Sequence, residues 1–93
     1  MTAVVHYVQQ PTQIFQFNVG LADLYGNVQS YNLAVTWNLY GQRYYLSCFT
    51  QQNALVFSVP LMNSPPDYSI NLTAGYFSTP VVFRESTQNF EIG

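Results

Sequence analysis

The stretch Tyr31-Asn32-Leu33-Ala34-Val35-Thr36-Trp37 places Tyr31, Leu33, Val35 and Trp37 on one side and Asn32, Ala34 and Thr36 on the other. Successive side chains of an extended backbone point to opposite faces, so this alternation predicts a half-buried β-strand. The same period appears upstream in Ile14-Phe15-Gln16-Phe17-Asn18-Val19, where Phe15, Phe17 and Val19 alternate with amides. Arg43 to Phe49 predicts a third strand, whose inward set is either Tyr44, Leu46 and Cys48 or Tyr45, Ser47 and Phe49. Ala54 to Val59 predicts a fourth, with Leu55, Phe57 and Val59 toward the core.

Turn residues fall where these strands must end. Tyr25-Gly26-Asn27 and Leu39-Tyr40-Gly41-Gln42 carry glycines able to take positive φ. The second joins strand 31–37 to strand 43–49 as a hairpin. Gln51-Gln52-Asn53 makes another tight connection, so residues 31–59 read as a meander. Pro60 lacks a ladder donor and closes the fourth strand, unless that strand lies at an edge. Beyond it, Ser64-Pro65-Pro66-Asp67 has the chemistry of a helix start, enough for a single turn. Tyr68, Ile70 and Leu72 alternate with Ser69, Asn71 and Thr73, which predicts a strand. Val81 to Glu85 and Phe90 to Ile92 supply two last apolar stretches.

Strong helix formers are scarce, and β-branched and aromatic residues are plentiful. Six or seven short strands with frequent turns predict an all-β fold, an antiparallel β-sandwich or partly open barrel. No linker or internal repeat interrupts the chain, so residues 1–93 read as a single β domain.

Only 6 % of the 93 residues are charged, against roughly 25 % in an ordinary domain. The six are Asp23, Arg43, Asp67, Arg84, Glu85 and Glu91, and there is no lysine. Two arginines are too few to neutralise a phosphate backbone, so direct nucleic-acid binding is not expected. One histidine and one cysteine cannot close a zinc site, and a lone cysteine has no intramolecular disulfide partner. No apolar run approaches the roughly 20 residues of a membrane helix. Met1 to Gln10 lacks the basic region and cleavage site of a secretion leader. Neither membrane insertion nor export is therefore expected.

Catalytic chemistry has little to work with. His6 is the one conventional general base and stands in an apolar strand without an orienting acid. Cys48 lies inside a strand and reads as a small buried hydrophobe. The four carboxylates show no spacing that would pair them as in a glycosidase. The expectation is no enzyme, no catalytic residue, no metal and no cofactor. Aromatics, by contrast, make up 17 % of the chain. Phe15, Phe17, Tyr31, Trp37, Phe57 and Phe83 read as core. Tyr25, Tyr40 and Tyr76 stand beside turn glycines and are candidates for contact with a partner. Surfaces covered by partners are poor in Lys, Glu and Asp and rich in aromatics, as this chain is. The alternative is a small neutral monomer kept soluble by its amides.

Tyr31-Asn32-Leu33-Ala34-Val35-Thr36-Trp37-Asn38, followed by Gly41-Gln42-Arg43-Tyr44-Tyr45-Leu46-Ser47, resembles a pattern in the small baseplate plug proteins of contractile-tailed bacteriophages. Such chains open with a strand similar to Ile14–Val19 and continue through a strand ending in Trp-Asn to an aromatic pair. A strand leading into a proline follows, here Leu55 to Pro60, and then a segment similar to Asp67-Tyr68 and Gly75. The resemblance spans roughly residues 13–92. It implies a structural subunit of the virion, made in the host cytoplasm and placed at the centre of the tail baseplate. The implied partners are hub, spike and tail-tube proteins and copies of the chain itself around the tail axis.

The leading expectation is thus a non-enzymatic baseplate subunit that plugs or bridges the hub and tube region, a homo-oligomer held by protein–protein contacts. Tyr25, Tyr40, Arg43, Tyr76 and Arg84 are its candidate interface residues. The terminal segments Thr2–Gln9 and Phe90–Gly93 are candidates for strand pairing with a neighbour. The alternative is a monomeric β-sandwich module that binds carbohydrate or peptide through exposed aromatics.

Overall fold

In a computed structural model of the chain, which describes residues 3–7 and 15–93, seven strands form two antiparallel sheets. They are β1 (Ala3–His6), β2 (Phe15–Ala22), β3 (Val28–Asn38), β4 (Arg43–Phe49), β5 (Leu55–Pro60), β6 (Val81–Arg84) and β7 (Asn89–Ile92). One sheet is the meander β2-β3-β4-β5, and the other has the order β1-β7-β6. Two separate sheets around one core make this a sandwich, and no helix occurs among the described residues.

The alternating residues of β2 and β3 do what their period requires. Leu21, Leu33 and Val35 are fully buried, with Phe15, Phe17, Val19 and Tyr31 packed beside them. Register then decides the question left open in β4. Leu33 stands opposite Cys48 and Val35 opposite Leu46, so Tyr44, Leu46 and Cys48 face inward. Trp37 lies at the open end of the inward row, 39 % exposed, with its indole edge-on to Tyr44 at 4.9 Å.

In β5 the expectation holds for Phe57 and Val59 and fails for Leu55, which is 61 % exposed. The cause is a register shift. Cys48 pairs with Phe57 but Phe49 pairs with Leu55, so Val56 is an extra residue and the face inverts beyond it. Pro60 ends β5, which is an edge strand, and there a missing donor breaks no ladder.

The strand expected at 68–73 does not form. Ser64 Oγ accepts from the Ile70 amide at 2.9 Å, and Asn71 Oδ1 accepts from the amides of Thr73 and Val81. Side chains that capture backbone donors in this way compete with a sheet ladder. Pro66 to Tyr68 is a turn and bend rather than helix, and Gly75 (φ 87°) turns the chain again. At the start of this second turn Leu72 drops into the core, and just after it Phe77 does the same. The segment also lies along β6. Asn63 bridges to Phe83, Ser64 N donates to Phe83 O at 2.8 Å, and Leu72 N donates to Val81 O at 2.8 Å.

Two groups of rings link the aliphatic parts of the core. Phe90 of β7 lies within 5.1 Å of both Phe17 and Phe83 and 5.5 Å of Tyr7, joining the two sheets. A second group, Tyr31, Phe57, Tyr76 and Phe77, closes the other half. Burial, and next the neighbouring Tyr44, push the Tyr7 hydroxyl up to about 12.

Candidate contact surface

Two turns carry the most exposed aromatic residues. At the β2–β3 end, Asp23 Oδ1 accepts from the amides of Tyr25 (2.8 Å) and Asn27 (2.9 Å), and Gly26 takes φ 92°. A carboxylate folded over its own backbone in this way fixes the loop. Leu24 and Tyr25 are left projecting into solvent, Tyr25 at 91 % exposure. At the β3–β4 end, Asn38 Oδ1 accepts from the Gly41 amide at 2.8 Å, and Tyr40 is completely exposed beside Leu39. Gln42, not Gly41, takes the positive φ here (51°), so that expectation is corrected. A Cβ at Gly41 would meet only ordinary contacts, the nearest at 3.6 Å. The eleven residues of β3 hold the two turns at opposite ends of the strand, up to about 33 Å apart at roughly 3.3 Å per step.

The other candidates are placed differently. Arg43 is exposed at the start of β4, opposite Asn38, and so belongs to the Tyr40 end. Tyr76 stacks on Phe57 at 4.8 Å and 25° with about half its surface in solvent. Its neighbour Phe77 bridges to Asp23, which puts Tyr76 toward the Tyr25 end. Arg84 is bound within the chain: its guanidinium donates to the carbonyls of Pro65 and Tyr68 and to Ser69 Oγ, and pairs with Glu91 Oε1 at 3.4 Å. Leu24, Val28 and Leu39 join the exposed apolar set and were not singled out by alternation. The signal for Leu24 and Leu39 was an apolar residue inside a turn.

The expected pairing through Phe90–Gly93 is corrected, because β7 is the middle strand of its sheet and has neighbours on both sides. In Thr2–Gln9 the described part is Ala3–Tyr7, and β1 is an edge strand. Residues 2, 8 and 9 lie outside the described residues.

His6 and Cys48 stand in opposite settings, one at the surface and one in the core. His6 is exposed, and its Nδ1 lies 3.0 Å from Asn89 Oδ1, an amide rather than a carboxylate partner. Cys48 is fully buried, and burial pushes its thiol up to about 11, away from the reactive thiolate.

Asp23 gives the Tyr25 turn a pH dependence. The Asn27 amide first, and the Tyr25 amide with it, hold the carboxyl below its ordinary value. A depressed folded value means the contribution is complete above the unfolded value near 4 and fades as pH falls through the folded one. The amide shifts of Tyr25 and Asn27 are therefore expected to titrate together with a midpoint below the usual aspartate range. Asp23→Asn should remove that step. A midpoint at or above the ordinary value would break the link between this carboxylate and the turn.

No family model matches the chain, and no curated protein and no solved structure matches it either.

Proposed function

We propose that the chain is a non-enzymatic structural subunit of a contractile phage tail baseplate, plugging or bridging the central hub and tube region. It acts through contacts with copies of itself and with hub, spike and tail-tube proteins, and it is carried in the virion after synthesis in the host cytoplasm. The observation that carries the reading is the pair of opposed turns, each ending in a fully presented tyrosine beside a leucine, on a chain with only six charges. Interface centres favour tyrosine and exclude charge, and a subunit with contact points at both ends is suited to bridging neighbours. Different patches meeting head to tail close into a ring when the rotation allows it. The sequence resemblance supplies the baseplate setting.

The test is the mass in solution, by light scattering across a concentration series, alone and after co-expression with neighbouring tail proteins. The native chain is expected to give a discrete trimer or hexamer, or to become soluble only with a partner. Tyr25→Ser/Tyr40→Ser should weaken association by about 30-fold or more, the loss of roughly 2 kcal/mol or more at a contact hot spot. A native chain that stays at 10.6 kDa at high concentration, with no partner bound, would overturn the proposal.

A further inference from the structure

The outward face of the four-stranded sheet carries a hollow of about 280 Å³ lined by Gln16, Asn32, Leu33, Ala34, Phe49 and Asn53. Three strands and a turn build it. Gln16 of β2 pairs with Ala34 of β3, Asn32 of β3 pairs with Phe49 of β4, and Asn53 (φ 65°) turns the chain from β4 to β5. Ala34 forms the floor: it points outward yet is 4 % exposed, because its methyl is too short to rise between its neighbours. None of the three amide side chains is hydrogen-bonded to another described residue. Phe49 is half-buried and has no aromatic partner among the described residues, so its ring forms one wall without being stacked on another.

We propose that this hollow binds one residue of a neutral saccharide. Each amide offers both a donor and an acceptor, the pairing that vicinal hydroxyls require. An aromatic wall supplies apolar contact for the C–H face of a sugar ring. An anionic ligand has no cation to meet here, since Arg84 is bound in the other sheet and Arg43 stands at the far end of β4. A purely apolar ligand would strip water from three amides and return nothing. A peptide strand recognised by a sheet pairs with an exposed edge. The hollow sits instead over β3, whose main chain is paired on both sides. The volume lies just under the roughly 300–1,000 Å³ of sites for larger ligands, which suits a single ring.

The site stands apart from the two tyrosine turns, so it holds or fails independently of the assembly reading. The probes are the methyl glycosides of glucose, galactose, mannose, rhamnose, N-acetylglucosamine and N-acetylgalactosamine, titrated into ¹⁵N-labelled protein. The readout is the side-chain NH₂ resonances of Gln16, Asn32 and Asn53. At least one glycoside is expected to move all three saturably, with a Kd in the millimolar range. Asn32→Ala should weaken that binding by about five- to tenfold. Ala34→Val, which suits a strand and fills the floor, should abolish it with the backbone spectrum preserved. If Ala34→Val fails to fold, Asn32→Ala still decides the matter. No movement with any glycoside, movement unchanged in the Asn32→Ala protein, or a response to short peptides alone would overturn the proposal.

Discussion

Phe90→Ala is expected to cost about 3–5 kcal/mol, the usual loss when a fully buried phenylalanine is cut back in a core. The ring has no exposed surface and contacts Tyr7, Phe17 and Phe83, so truncation opens a gap where both sheets meet. Each ring pair adds roughly 0.5–1.5 kcal/mol beyond burial, which pushes the loss toward the upper end. A domain of this size has roughly 5–14 kcal/mol in total, so a third or more of its stability rides on one side chain. Thermal melts followed by circular dichroism should show Tm lower by about 15–30 °C. Phe90→Leu, which keeps most of the volume, should lose about half as much or less. A loss below about 1 kcal/mol in the alanine variant would mean that the sheets are held together elsewhere.

The elements that were legible in the sequence are those whose burial is one-sided. β2 and β3 alternate because one face meets the core and the other meets water, and Phe17, Leu33 and Val35 fall where the period puts them. β4 was ambiguous because it carries apolar residues in both sets. Its outward Tyr45 and Phe49 belong to the amide-lined face, and only register against β3 separates them from Leu46 and Cys48. Leu55 was misplaced because one extra residue inverts the pleat, and nothing in Ala54 to Val59 marks where the ladder slips. The segment 68–73 has a perfect strand period and forms no strand. There Ser64 and Asn71 hold backbone groups that a ladder would need, and the first lies outside the window in which the period was read.

The contact surface divides in the same way. Tyr25 and Tyr40 were readable because a large aromatic residue next to a turn glycine has no core to enter. Tyr76 followed the same rule only in part, since the Gly75 turn lays its ring on Phe57. The outward hollow was beyond the sequence. Asn32, Ala34 and Gln16 were visible as the non-core set, but their meeting with Phe49 and Asn53 depends on three strand pairings and a turn. Strand order likewise hid the central place of β7. A terminal segment is ordinarily a sheet edge, and here β1 pairs outside it.

Arg84→Met is expected to destabilise the isolated chain by about 2–3 kcal/mol, because a charged donor that serves several acceptors is removed. The side chain is 16 % exposed and ties the 63–70 segment to the sheet through the Pro65 and Tyr68 carbonyls and Ser69, with Glu91 behind it. That segment covers the β6 edge, so releasing it should expose the Ser64 and Leu72 amides that pair with Phe83 and Val81. Hydrogen exchange is the sensitive probe: protection of those two amides should fall well before the β2–β3–β4 ladder responds. Arg84→Lys should restore little, since a single ammonium cannot reach acceptors spread across a planar fork. The same pair of variants separates two roles for this residue. If the lysine protein melts like the native chain and loses only its association with other subunits, Arg84 acts at an interface. If both variants loosen the 63–70 segment in the free chain, any assembly defect follows from the uncovered β6 edge rather than from a lost contact.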